Sequence, residues 1–331
     1  MPIVHGMLVL FIAGFMFACN TGNKPAPKAD ASGGTLEILV VTDHVDQWES
    51  VLGDTVKNFF GQPVGNIPQA EPMFTIANMG KEGFSKMFQP HHAILIMTVD
   101  RDREKPLVET KKDLWAAPQR VIKISAPSEA AIIEEFVKYQ DTFLELFKEV
   151  EIERTNKTYS TALERPIIQK IYKEYDLVLD VPVGFNIAAN TGRFVWMRRE
   201  PQKFSQGLMI YWEDYVDTSQ FNPEYIIQKR NKMTKAHIPG PSDGSYMTTS
   251  TSIIEPEFKR IDLNGYFAVE TRGLWEVEGD FMGGPFVSYT TVDEASNRVV
   301  TIEGYVYAPN AKKALLLHQV DAILHTLRFK D

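Results

Sequence analysis

Cysteine is almost missing from this chain: Cys19 is the single thiol among 331 residues. One sulfur excludes an internal disulfide framework and a thiolate metal cluster. Membrane-length apolar runs are lacking too. The longest, Met7 to Cys19, holds about 12 apolar residues, short of the roughly 20 that a spanning helix needs. Nor is there a cationic excess. Lys and Arg number 35 against 43 Asp and Glu, a net charge of −8. Without a dense basic stripe to neutralise phosphates, a nucleic-acid partner is not expected. No short-period repeat is visible.

What is present begins with the same apolar run. Its length suits a signal-peptide core, and Ala18 supplies a small residue before the cut. Met16 and Phe17 are bulky for that position, and the segment before the run has His5 but no Lys or Arg. The run reads as a lipoprotein signal peptide over residues 1–18, with Cys19 as the lipidated residue. Asn20 to Gly34 follows, rich in Gly, Pro, Ala and Lys without a large apolar side chain. That composition predicts a flexible tether over 19–34. Acyl chains on Cys19 then hold the protein at a membrane surface, and no thiol remains for catalysis.

The whole chain is 44% apolar, and the rest is long enough for two modest domains. Over 35–175 the pattern is α/β. Leu36 to Val41 and Ala93 to Val99 read as buried strands. Trp48 to Phe60 and the long run after Ser128 carry one apolar face at helical spacing. A further helix over about Glu164 to Tyr175 has Pro166 in its first turn. From Asp176 the apolar period falls to two, predicting an antiparallel meander over 176–331. Pro223 to Lys235 interrupts it as a helix, Ala236 to Ser252 reads as a long loop leading into strand, and Asn310 to Leu327 closes it with Leu315 and Leu316 among the inward residues. The fold class is therefore α+β: two α/β layer domains, the second an antiparallel sheet with a closing C-terminal helix. This second half is similar in element order to PsbP/Mog1 domains, a likeness of fold that carries no function.

Several local phrases resemble one family of Bacteroidota lipoproteins, domain of unknown function 4837. They are Gln69-Ala-Glu-Pro-Met-Phe74, Ala93-Ile-Leu-Ile-Met97, Asp113-Leu-Trp-Ala-Ala-Pro-Gln119, Ala126-Pro-Ser128, and the run Leu177 to Phe185. The resemblance spans nearly the whole chain after the signal and implies an envelope lipoprotein, with no catalytic residue to carry over. Surface-exported lipoproteins of that phylum are similar in having acids soon after the cysteine. Lys24 and Lys28 precede Asp30 here, so an outer-membrane protein facing the periplasm is expected.

Motifs that carry chemistry are few. Gly240-Pro-Ser242-Asp-Gly244 spells a nucleophile elbow, but that chemistry needs a strand before it and a helix after it. Its prolines and glycines predict a plain turn. His91 and His92, with Asp43 and His44 nearby, suggest a metal site only weakly, because adjacent histidines on an extended chain point apart. His318 and His325 read as surface or half-buried. Asp54-Thr55-Val56 resembles an O-glycosylation signal, and Asn156-Lys-Thr158 the N-linked acceptor. No catalytic residue, metal ligand or cofactor site is assigned.

Gly279 to Gly284 should carry Phe281 and Met282 on a hairpin tip. Apolar tip residues need cover, from the neighbouring domain or a partner. Tyr211 and Trp212 are further candidates for partner binding, weighed against burial in the core. The expected function is a non-catalytic binding or assembly module anchored at the membrane through Cys19, with an envelope protein as partner. The alternative is a small-ligand binder with its pocket between the domains. A hydrolase ranks third, and requires a histidine and an acid converging in a cleft with shifted titration.

Overall fold

The computed structural model describes residues 28–330; the expected signal peptide, the expected lipidation site Cys19 and most of the expected tether lie outside them. The first half is a five-stranded sheet. Its strands are β1 (Glu37–Thr42), β2 (Thr75–Gly80), β3 (Ala93–Val99), β4 (Leu107–Lys112) and β5 (Arg120–Ala126), in the order β2-β1-β3-β5-β4. All neighbours are parallel except the edge pair β4 and β5. Helices α1 (Val51–Phe60) and α2 (Glu129–Tyr159) cover one face. Side-chain alternation explains why: Ile38, Val40 and Leu95 point into a core with Phe60, Phe136 and Phe147, while Leu39, Val41 and Ile94 point to the other face. Ser50 and Ser128 cap the two helices by accepting from Leu52 N and Ala131 N.

The second half is a larger antiparallel sheet. Its strands are β6 (Asn186–Asn190), β7 (Phe194–Arg199), β8 (Ser205–Asp214), β9 (Tyr246–Ser250), β10 (Glu257–Leu263), β11 (Tyr266–Glu278), β12 (Gly283–Asp293) and β13 (Arg298–Tyr307). The order is β9-β11-β12-β13-β8-β7-β6, and β10 pairs with the part of β11 that β9 leaves open. Both faces are buried. Leu208 and Ile210 meet α5 (Ala314–Leu324), whereas Met209 and Tyr211 lie in a second core with Ile238, just past α4 (Pro223–His237). Helices therefore cover both faces, where the sequence pattern placed one closing helix.

Four expectations need correcting. Helix α3 (Arg165–Tyr175) buries Ile167 and Ile171 in the second core, so the division between halves falls before it, not at 175. Residues 29–34 are not free tether. Ala29 and Asp30 pair in parallel with Ala116 and Ala117, and Ser32 exchanges backbone bonds with Pro90 and His92. Main-chain bonds do there what apolar side chains do elsewhere. Leu315 is outward on α5, and Asp321 occupies the inward face instead. Strand β10 and its Asn264-Gly265 turn sit where the sequence reading placed no strand.

A candidate interdomain cleft

Between α2 of the first half and β10, β11 and α5 of the second lies a cleft of about 1580 Å³. One wall is the face of α2 that carries Glu145, Glu149, Ile152 and Asn156, spaced to fall on one side of a helix. Phe258, Lys259 and Ile261 of β10 form the opposite wall. Lys259 Nζ reaches Glu145 across the gap at 3.1 Å, and Thr155 Oγ1 meets His318 Nε2 at 2.9 Å. Carboxylates outnumber Lys and Arg on the lining nine to five.

The floor is a charged cluster that sequence reading missed. Arg272 on β11 is bonded to Glu270 and donates to Asp321 Oδ2 at 2.5 Å. Tyr289 on β12 donates its hydroxyl to Asp321 Oδ1 at 2.6 Å. Its only proton is thereby used, so the 3.0 Å contact with His325 Nε2 requires the imidazole to donate. Burial raises the Asp321 carboxyl, but Arg272, His325 and the Tyr289 hydroxyl more than offset it and hold it at about 2. Burial, reinforced by the Asp321 charge, pushes the Tyr289 phenol well up. The guanidinium stays charged because Asp321 and Glu270 outweigh its desolvation. The readable signal was Asp321 itself: an acid on the inward face of an apolar helix, four residues before His325.

Glu151 links this wall to the two adjacent histidines. Expected to diverge, His91 and His92 instead stack, with ring centres 4.7 Å apart, because strand alternation begins only at Ala93. His92 Nδ1 donates to the Ser32 carbonyl at 2.9 Å, and its Nε2 lies 2.5 Å from Glu151 Oε1. Glu151 Oε2 is buried without a hydrogen-bond partner. His91 Nδ1 accepts from Ala93 N, leaving Nε2 to donate to Glu37 Oε1 at 3.0 Å. Burial lowers the His91 imidazole against the opposing Glu37 bond. Among the described residues no three His, Cys, Asp or Glu side chains form a metal-binding group. Asp43 bonds Val99 N instead.

The other candidate residues separate. Phe281 stands fully exposed on the β11–β12 turn at 106% relative accessibility, uncovered by the first half, while Met282 packs against the α4-side core. Tyr211 at 2% and Trp212 at 9% are core, not partner surface, because both faces of β8 are covered. Ser242 lies in a turn before β9 and bonds Asp280, with no helix behind it. His318 and His325 are half-buried on the cleft lining. Thr155, though bonded to His318, is not part of that lining. No helix among the described residues is long and apolar enough to cross a membrane.

Two α+β layers sharing a charged cleft define a two-part, mixed-sheet protein. Residues 164–326 match the domain of unknown function DUF4837, so this half of the chain is a domain of that family. Residues 31–160 match a different one, the domain of unknown function DUF8532. The first-half phrases that resemble DUF4837 therefore fall in a separately defined domain. Similar solved structures include the Ran-binding protein Mog1p of Saccharomyces cerevisiae, at 12% identity and TM-score 0.30, covering 47% of this chain and 91% of that one. LpqN of Mycobacterium tuberculosis, described as involved in cell envelope biogenesis, is 13% identical with TM-score 0.28, covering 47% and 83%. No curated protein matches the chain.

Proposed function

We propose that this protein is a membrane-anchored envelope lipoprotein that acts as a binding module, with the interdomain cleft as its ligand site. The supporting observation is the floor: Arg272, Asp321, Tyr289 and His325 are held in fixed relation by their mutual bonds before any ligand arrives. Preorganised polar groups at the floor of a cleft between two halves are what binding sites commonly offer. Lipid on Cys19 tethers the chain, and Lys24 and Lys28 ahead of Asp30 favour the periplasmic face of the outer membrane. Two measurements test this. An alkyne fatty acid should label the wild type and not Cys19→Ser. Hydrogen exchange on protein taken from its own membranes should show α2 and β10 protected relative to delipidated, refolded protein. An unlabelled wild type, or identical exchange, refutes the corresponding part.

A hydrolytic reading draws on one observation, the approach of His325 to Asp321 at 3.6 Å. Both Asp321 oxygens are already engaged by Arg272 and Tyr289, which suits a positioning role better than proton transfer. Turnover of ester or amide substrates that disappears in His325→Ala would favour this reading over the first.

A further inference from the structure

Strand β10 forms its wall of the cleft with an open edge. The turn that follows it, Asn264-Gly265, has both residues at positive φ, 56° and 88°. That is the two-residue hairpin turn in which the flanking pair, Leu263 and Tyr266, exchanges both backbone bonds. Alternation along the ladder then turns the N–H and C=O of Ile261, Lys259 and Glu257 toward β11. Those of Asp262, Arg260 and Phe258 turn the other way. Among the described residues no other strand pairs with β10, and no hydrogen bond reaches those three outward residues' main-chain groups. The pairing with β11 runs through seven residues without a bulge or proline, two of the devices that blunt an edge; charged side chains such as Lys259 and Arg260 are the guard it carries.

Resting on the cleft as the binding site, we infer that its ligand is an extended basic polypeptide segment, which adds as a strand to β10 beneath α2. An open edge facing a helix across a groove is the arrangement in which a peptide gains main-chain bonds from the strand and side-chain contacts from the helix. Outward groups recur at every second residue of β10, about 6.8 Å apart, the repeat of an incoming strand. The charge of the occupant follows from the lining. Its carboxylates exceed its cations, and Glu145 and Glu149 stand exposed along the α2 wall. Lysine or arginine at alternate positions would complement that wall. Half-buried Phe258, on the face of β10 opposite Lys259, offers the apolar contact for the residues between.

The test uses the full chain in detergent and a fluorescent heptapeptide alternating Lys and Val, with a Glu and Val peptide as control. Anisotropy should show the basic peptide bound at least 10-fold more tightly than the acidic one. N-methylation of the amides on one edge of the peptide should weaken binding 10-fold or more, and on the other edge leave it unchanged. Arg260→Pro removes an outward N–H that β11 does not use, so it should abolish peptide binding while the thermal midpoint holds. Glu149→Gln, which keeps an acceptor for Arg120, checks the charge term independently and should cut affinity several-fold. Equal binding of both peptides, or insensitivity to methylation and to Arg260→Pro, overturns the inference. Dimerisation that Arg260→Pro abolishes would overturn it in favour of a second copy on this edge. If the peptide fails while α2 and β10 remain protected in membrane-derived protein, strand addition is wrong and the cleft stands as a site; if that protection is also missing, both fall.

Discussion

Glu71, in the first half, caps the helix that begins beside Lys313, 242 residues further along the chain. Its Oε1 accepts from Lys313 N at 2.7 Å and its Oε2 from Ala314 N at 3.1 Å. Helix α5 has no capping side chain of its own. A carboxylate here meets two otherwise orphaned amides and the positive end of the helix dipole. Glu71→Ala should therefore cost about 2 kcal/mol, read as a lower urea midpoint. Glu71→Gln, which keeps one acceptor, should lose less.

Asp321 gives the protein a distinctive acid limb. Its carboxyl sits at about 2 in the folded state against an ordinary 3.8. A depressed carboxyl contributes stability above its unfolded value, and that contribution fades as pH falls from about 4 through 2. Its size is about 2 kcal/mol. Urea unfolding at pH 5, 3.5 and 2 should show a steeper loss for the wild type than for Asp321→Asn. Parallel curves would remove Asp321 from this role.

Arg230 and Glu303 form a bidentate ion pair at 2.7 and 2.9 Å, both essentially inaccessible, with the guanidinium 3.9 Å from the centre of the Phe286 ring. Burial raises the Glu303 carboxyl, and Arg230 opposes that rise. Arg230→Met leaves a buried acid alone and should cost roughly 3–5 kcal/mol. Replacing both, as Arg230→Met with Glu303→Leu, should regain most of it. A double variant as unstable as the single one would mean that the pair itself holds α4 on the sheet.

Gly33 has φ +101°, and a Cβ there would lie 2.5 Å from His91 Nε2. Gly33→Ala should strain the backbone and dislodge the ring that donates to Glu37. The expected loss is about 1–3 kcal/mol. Limited proteolysis should then cut between residues 28 and 36 at enzyme levels that spare the wild type.

Phe281 and Met282 are adjacent on one turn yet differ in burial. Phe281→Asp should shift stability by no more than about 0.5 kcal/mol, whereas Met282→Asp should lower the thermal midpoint measurably. Any change in binding caused by Phe281→Asp alone then reports a contact rather than misfolding.

Much of the scaffold was readable because apolar period and burial coincide. Leu36 to Val41, Ala93 to Val99 and the face of α2 through Phe136, Phe143 and Phe147 follow their expected places. The site was far less legible. Its floor joins β11, β12 and α5, so Arg272, Tyr289 and Asp321 come together only through strand order, which local pattern does not encode. Tyr211 and Trp212 misled because adjacent aromatics on an antiparallel strand suggest one wet face, and α4 covers that face. The Asn264-Gly265 pair was a legible hairpin signal beside β10. Charged residues at Glu257, Lys259, Arg260 and Asp262 obscured the strand before it, since an edge strand needs little apolar content.

The loop between α1 and β2 buries Ile67 among α5 and α3 side chains, in the core of the other half. Lys313, at the start of α5, follows Glu71 by 242 residues. During synthesis the earlier half must therefore wait, with Ile67 bare and Glu71 unspent, until α5 has been delivered. Premature termination anywhere before Lys313 would strand a sticky loop, which makes truncated products ready prey for proteases.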